Sequence, residues 1–193
     1  MTKRILIILG HPALARISFC EALALAYQTS ARDAGFEVQL LHLAKLSFDP
    51  ILHEGNERPQ ALEADLIAAQ KNIEWANHLV FVYPLWAYMV PALLKGFFER
   101  TFTPGFAYVI NAKSPFNSGL LSGKSARIIQ TSGMPGFAFR LLYGAHGAKA
   151  LHSLLNVCGI KPARFSFFGA FESNEERRKT FLAKAAALGR DGA

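Results

Sequence analysis

Cysteine is scarce in this chain. Cys20 and Cys158 are the only two in 193 residues, too few for a disulfide framework. Neither stands in a CxxC or Cys/His spacing that would hold zinc. Both read as small buried hydrophobes. Charge is also low, at 18% of residues against 51% hydrophobic, which excludes a disordered chain. Gly (15) and Pro (9) follow no repeat, so collagen-like and low-complexity classes are excluded. Carboxylates are outnumbered, 14 against 21 Lys and Arg, for a net charge of +7. The bases are scattered, and the densest stretch, Glu175-Glu176-Arg177-Arg178-Lys179, is mixed. That pattern favours phosphate-bearing small molecules over nucleic acid.

Uninterrupted apolar runs are missing too. Met1 to Ala15 mimics a signal peptide, with Lys3 and Arg4 before Ile5-Leu6-Ile7-Ile8-Leu9. That run is shorter than a secretory segment needs, and it reads as a buried strand ending at Gly10-His11-Pro12. Trp75 to Leu94 carries no formal charge and approaches membrane-spanning length. Pro84 and Pro91 would break a helix there. A strand followed by a helix fits better, and no transmembrane segment is expected. The expected location is cytoplasmic.

The length suits a single domain over residues 1–193. Strands are expected at 3–9, 38–43, 79–83, 126–131 and 164–168. Ser18 caps a helix to about Ala34. Leu62, Leu66, Ala69, Ile73 and Ala76 recur at helical spacing, placing a second helix over 61–77. Pro91 suits the first position of a third, ending near Thr101. Residues 102–123 read as a long loop, of the kind usually functional in a compact domain. A fourth helix is expected over 141–157. Asn174 caps a fifth, which stops at Gly189. Five alternations of strand and helix indicate an α/β three-layer fold with a five-stranded parallel sheet. The commonest order for five such units is the flavodoxin-like 2-1-3-4-5, in which ligands sit beyond the carboxyl ends of the strands.

The segments at those ends are chemically specific. After strand one, His11, Arg16, the Ser18 hydroxyl and the free N–H groups of a helix start converge as an anion site. The alternative there is an ordinary turn with a solvated Arg. After strand three, Pro84-Leu85-Trp86-Ala87-Tyr88-Met89-Val90-Pro91 is too apolar for a solvated loop. It suits a planar ring, the face of another subunit, or plain core. After strand four, Thr131-Ser132-Gly133 offers backbone donors, and His146 lies within Gly144-Ala145-His146-Gly147. An anion-binding turn beside an aromatic cradle suggests a phosphorylated flat ring, a flavin. Gly10-His11-Pro12 is neither GxGxxG nor a Walker A loop, and no G-x-S-x-G elbow appears.

These residues resemble a known family. Pro84-Leu85-Trp86, Val90-Pro91-Ala92-Leu93-Leu94-Lys95-Gly96-Phe97-Phe98-Glu99-Arg100-Thr101-Phe102 and Gly105-Phe106-Ala107-Tyr108 are similar to NAD(P)H:quinone oxidoreductases of the DT-diaphorase type. Bacterial relatives include the ancillary flavoproteins of potassium efflux systems. The likeness runs from about residue 3 to 170. It implies a flavin, FAD or FMN, on a flavodoxin-like fold, in a homodimer with the site at the interface. It implies two-electron transfer from NAD(P)H to a quinone-like acceptor in ping-pong order. His11, Ser18 and Phe19 would take the phosphate or pyrophosphate, with Arg16 of the same turn beside them, and Gln70 would lie near the flavin tail. Pro84, Leu85, Trp86, Ala87 and Tyr88 would line the ring edge, and Thr131, Ser132 and Gly133 its pyrimidine side. His146 matches the catalytic His. Phe106 and Tyr108 would wall the substrate pocket. No metal is implied. Animal members carry a Tyr six residues before the His; here that place is Arg140, and the nearest Tyr is Tyr143. Either replaces it, and Arg140 also suits an anionic substrate or nucleotide phosphate. A second role under the same resemblance is regulatory, with the chain as a peripheral partner of a potassium-efflux transporter.

Overall fold

A computed structural model describes residues 2–55, 58–110, 118–172 and 174–193, with backbone alone for Ser118, Arg140 and Tyr143. In chain order the elements are β1 (Arg4–Leu9), α1 (Phe19–Asp33), β2 (Glu37–His42), a short 3-10 turn (Leu43–Lys45), α2 (Ala64–Trp75), β3 (His78–Pro84) and α3 (Ala92–Thr101). Then come β4 (Tyr108–Val109), β5 (Ser118–Gly119), β6 (Ser125–Ser132), α4 (Gly136–Tyr143), α5 (His146–Val157), β7 (Ala163–Gly169) and α6 (Glu175–Asp191). The main sheet is parallel in the order β2-β1-β3-β6-β7. With the two-residue pair β4/β5 set aside, this is the expected 2-1-3-4-5.

Both sheet faces are covered, which is why β1 and β3 are apolar at nearly every position. Ile5, Ile7 and Leu9 join Leu23, Tyr27 and Ala185 under α1 and α6. Leu6 and Ile8 join Leu66, Ile73, Phe97 and Leu155 under α2, α3 and α5. Ile5 to Leu9 are wholly buried, contributing roughly 1.5–3 kcal/mol each. A one-residue slip of β1 would exchange the two sets, so the register with β3, Ile5 opposite His78, is strongly fixed.

The capping expectations hold. The Ser18 hydroxyl accepts from the Glu21 N–H at 3.1 Å, and the Asn174 side chain accepts from the Arg177 N–H at 3.0 Å. Cys20 and Cys158 are buried and free.

Four expectations are corrected. The helix expected over 141–157 is two helices, because Gly144 (φ 59°) and Ala145 (φ 51°) are left-handed; the Gly144 N–H closes α4 on the Phe139 carbonyl. The last helix runs through Gly189 and stops at left-handed Gly192. Gly189 is buried instead, in contact with the Tyr27 carbonyl of α1, an approach that a Cβ would block. Pro91 stands one residue earlier than expected, as the N-cap of α3. The 102–123 loop contains the antiparallel pair β4/β5, and residues 111–117 of it lie outside the described residues.

Candidate functional site

The loops that follow β1, β3 and β6 emerge side by side, because these strands are neighbours in the sheet. Gly10 is fixed first. Its N–H donates to the Val82 carbonyl at 2.8 Å, and a Cβ there would meet Leu94 Cδ2 at 2.8 Å. His11 follows. Its Nδ1 accepts from the Ala13 N–H at 3.1 Å, so in the neutral ring Nε2 carries the proton. Burial, then the neighbouring His42 and Arg16 charges, hold its pKa below the ordinary imidazole value, against an opposing pull from Glu21. The indole of Trp86 meets the His11 ring edge-on, with centroids 5.5 Å apart.

Ser18 leads into α1 with an extended backbone. Its Oγ and carbonyl take the Glu21 and Ala22 N–H groups. The N–H groups of Phe19 and Cys20 have no intrahelical acceptor. They and the Ser18 O–H sit at the positive end of the helix dipole, beside exposed Arg16. The Phe19 ring does not face the loops. It stacks on Phe171 at 4.6 Å, with the Arg178 guanidinium 4.7 Å above it. Phe19 therefore offers its backbone.

The loop after β3 is a tight hairpin. Trp86 and Met89 exchange backbone hydrogen bonds of 3.1 and 2.9 Å. Ala87 (φ 47°) and Tyr88 (φ 62°) are both left-handed. Such turns normally use Asn-Gly, and each non-Gly residue there costs about 1–2 kcal/mol. The turn leaves Trp86, Tyr88 and Met89 each nearly half exposed. Pro84 is buried, and the Leu85 N–H donates to the Thr131 carbonyl at 2.7 Å, tying this loop to the next.

In that next loop Thr131 faces inward. Its hydroxyl lies 3.2 Å from Cys20 Sγ. Burial pushes the Cys20 thiol up to about 12, which removes it as a nucleophile. The Ser132 hydroxyl accepts from the Met134 N–H at 3.0 Å. Gly133 is exposed, beside the Glu172 carboxylate. His146 opens α5 and is exposed, with its ring folded back over Gly144. Gly147 behind it touches the Tyr88 carbonyl: a Cβ would lie 2.5 Å from that oxygen. This contact sets His146 beside the β3 hairpin.

Tyr108 lines a cavity of about 900 Å³ that runs from Met89, Val90 and Gly147 along α3 and α5. Burial, then the proximity of Cys158, raises its pKa. Phe106 packs instead against the α2/α3/α5 core. Gln70 is not brought to the three loops; its amide donates to the Thr101 carbonyl at the far end of α3, 2.9 Å away. The side chains of Arg140 and Tyr143 lie outside the described residues. Among the described residues there is no cluster of three or more metal-ligating side chains, and no helix is long and apolar enough to cross a membrane.

Three contributors were not read from the sequence: Gly147, Glu172, and Arg100 behind the cavity. Arg100 is 1% exposed. It donates to the Asp49 and Ala61 carbonyls and, at 3.0 Å, to Glu63, pinning the connection before α2. Charged residues are seldom buried, and nothing local marks this one.

A family model described as the flavodoxin-like fold matches residues 3–190. The chain belongs to that flavodoxin-like family. NAD(P)H dehydrogenase (quinone) 1 of Cavia porcellus is 33% identical over 177 residues, covering 81% of this chain. The chain spans only 58% of that relative's length. An uncharacterized NAD(P)H oxidoreductase of Haemophilus influenzae is 29% identical, covering 94% of this chain and 91% of its own. Among solved structures, Smu.1420 of Streptococcus mutans superposes with a TM-score of 0.84 at 32% identity, covering 97% of this chain and 99% of the other. The NAD(P)H:quinone oxidoreductase of Methanothermobacter marburgensis superposes at 0.82 over the whole of both chains, at 23% identity, which shows the shared fold. The resemblance drawn from the Pro84–Tyr108 segment is borne out at the level of family and fold.

Proposed function

We propose that this flavodoxin-like chain is a flavin-dependent NAD(P)H:quinone oxidoreductase. One observation carries the reading: unclaimed helix N–H donors lie next to a strained aromatic hairpin, with an exposed imidazole on its other side. The donor set fits a flavin. The Phe19 and Cys20 N–H groups, the Ser18 O–H and Arg16 suit its phosphate. His11, Pro84, Leu85, Trp86, Ala87 and Tyr88 offer an apolar, aromatic edge to its ring, and Ser132 and Gly133 offer polar backbone to the opposite rim. Thr131 holds these loops together through its carbonyl. Gln70 is left out of the set. When bound, a flavin supplies two-electron chemistry between a nicotinamide and an oxidised acceptor.

The chain's residues orient that chemistry. His11, neutral at pH 7, donates from Nε2 without adding charge. The Ala87–Tyr88 turn fixes the aromatic edge before any ligand arrives, so less ordering remains to be done on binding. His146 supplies a proton to the acceptor oxygen as hydride equivalents arrive from NAD(P)H, giving the hydroquinone. Arg140 or Tyr143 takes the place of the family's catalytic Tyr. Tyr108, facing the 900 Å³ cavity, walls the acceptor pocket across a homodimer interface. We place the enzyme in the cytoplasm.

Steady-state kinetics test the reading. Varying NADH or NADPH against a water-soluble quinone should give parallel double-reciprocal lines, the mark of one shared pocket used in turn. Intersecting lines would contradict ping-pong order. Absence of quinone reduction with both nucleotides, in flavin-loaded protein, would contradict the activity.

A further inference from the structure

The rim around the site is more apolar than a catalytic crevice requires. Leu14 and Ile17, in the loop after β1, are 57% and 71% exposed. Phe137, Leu141 and Leu142, on α4 after β6, are 71%, 80% and 74% exposed. α4 turns Phe139 inward onto Phe167, 5.3 Å between centroids, and presents Phe137, Leu141 and Leu142 to solvent. Five large apolar side chains on two segments at one sheet edge exceed scattered surface exposure.

Basic side chains stand beside them. Arg140 stands on α4 among the exposed apolar residues, and exposed Lys149 stands on α5. Carboxylates at the same edge are Glu21, half-buried in the first turn of α1, and Glu172 beside Gly133. Glu175 and Glu176, at the β7 end of the same edge, pair with Arg178 and Lys179. Exposed Arg16 stands between Leu14 and Ile17, and among the described residues neither it nor Lys149 is in an ion pair. Apolar side chains ringed by cations complement a bilayer with anionic headgroups.

We infer that Leu14, Ile17, Phe137, Leu141 and Leu142 form a membrane-contacting rim, held to an anionic bilayer by Arg16 and Lys149. The rim borders the proposed site, so a lipid-dissolved acceptor passes from the bilayer into the crevice without crossing water. Acceptor delivery rests on the reductase reading. The bilayer contact does not, and sedimentation reads it without turnover.

The test uses the flavin-loaded protein and extruded vesicles, either phosphatidylcholine alone or with about one-third phosphatidylserine. The wild type should sediment with the anionic vesicles only, and release as salt shortens the Debye length. L141S/L142S should bind them at least about tenfold more weakly, and K149E about fivefold more weakly or worse. Both variants should still reduce a water-soluble quinone at the wild-type rate, while losing rate on a long-chain quinone held in the vesicles. Several results would overturn the inference. These are no sedimentation of the wild type, equal binding to neutral vesicles, or unchanged binding by L141S/L142S. A fall in oligomeric mass in L141S/L142S would assign the rim to a second copy. Binding confined to native membranes and lost after protease stripping would assign it to a membrane protein.

Discussion

Gly147→Ala separates two physical effects that act in opposite directions. Gly147 lies within α5, where Ala is favoured over Gly by about 1 kcal/mol. Propensity alone therefore predicts stabilisation and, for a chain of this length, a melting point raised by about 3 °C. The structure predicts the reverse. The new methyl would lie 2.5 Å from the Tyr88 carbonyl oxygen, and that oxygen belongs to backbone already held in a left-handed turn. Overpacking against backbone costs about 3 kcal/mol, the upper part of its usual range. The net is a loss of about 2 kcal/mol, or roughly 4–8 °C in melting temperature. Parting α5 from the hairpin also moves His146 away from Trp86 and Tyr88, so quinone turnover should fall with the melting point. Differential scanning calorimetry and a turnover assay on the same preparation measure both. A raised melting point with full turnover would refute the contact and the placement of His146 built on it.

Other perturbations follow from the same geometry. His146→Ala should lower turnover about a hundredfold while flavin absorbance stays with the protein on gel filtration; unchanged turnover would remove the proton-donor role. Ala87→Gly should raise stability by about 0.5–1 kcal/mol in urea unfolding, as relief of left-handed strain exceeds the added backbone entropy; a loss would mean that the turn is unstrained. Arg100→Ala should cost about 3 kcal/mol, the low end for a broken buried pair, because Glu63 is 33% exposed. Burial raises the Glu63 pKa, but the Asp49 N–H, its own backbone and Arg100 outweigh this and hold it below the ordinary value. A depressed carboxyl pKa contributes stability that is complete above the unfolded-state value, about 4.3. That stability is lost as pH falls through the folded-state value. Acid unfolding of Arg100→Ala should therefore show a shallower dependence on pH below about 4.3 than the wild type; identical slopes would remove the Arg100–Glu63 coupling.

Much of the fold was legible because its signals are local. Ser18 and Asn174 are side chains that satisfy helix N–H groups, and they stand where the helices begin. The continuous apolar runs of β1 and β3 follow from burial on both faces. The β6 loop and residues Pro84 to Tyr88 stood out as a candidate site because apolar aromatics and Gly are poor choices for a solvated turn. What escaped depends on contacts distant in sequence. Gly144 is a local stop for α4, but Ala145 after it is left-handed although Ala favours helix, and nothing local marks that second reversed residue. Gly189 and Gly192 are equally good stops, and only the approach of Tyr27 puts the first inside the helix. Phe19 sits in the right loop, but Phe171 and Arg178, over 150 residues away, turn its ring out of the site. Gln70 has the right residue type, and its partner Thr101 on α3 could not be read from α2.

On this reading, three loops of one sheet edge hold a flavin reducible by NAD(P)H. The visible absorbance spectrum of the purified protein, taken before and after anaerobic addition of NADH or NADPH, tests it most directly. The account predicts two flavin bands that bleach on addition, with heat-released flavin then separating FMN from FAD. A colourless protein that takes up neither flavin would contradict it.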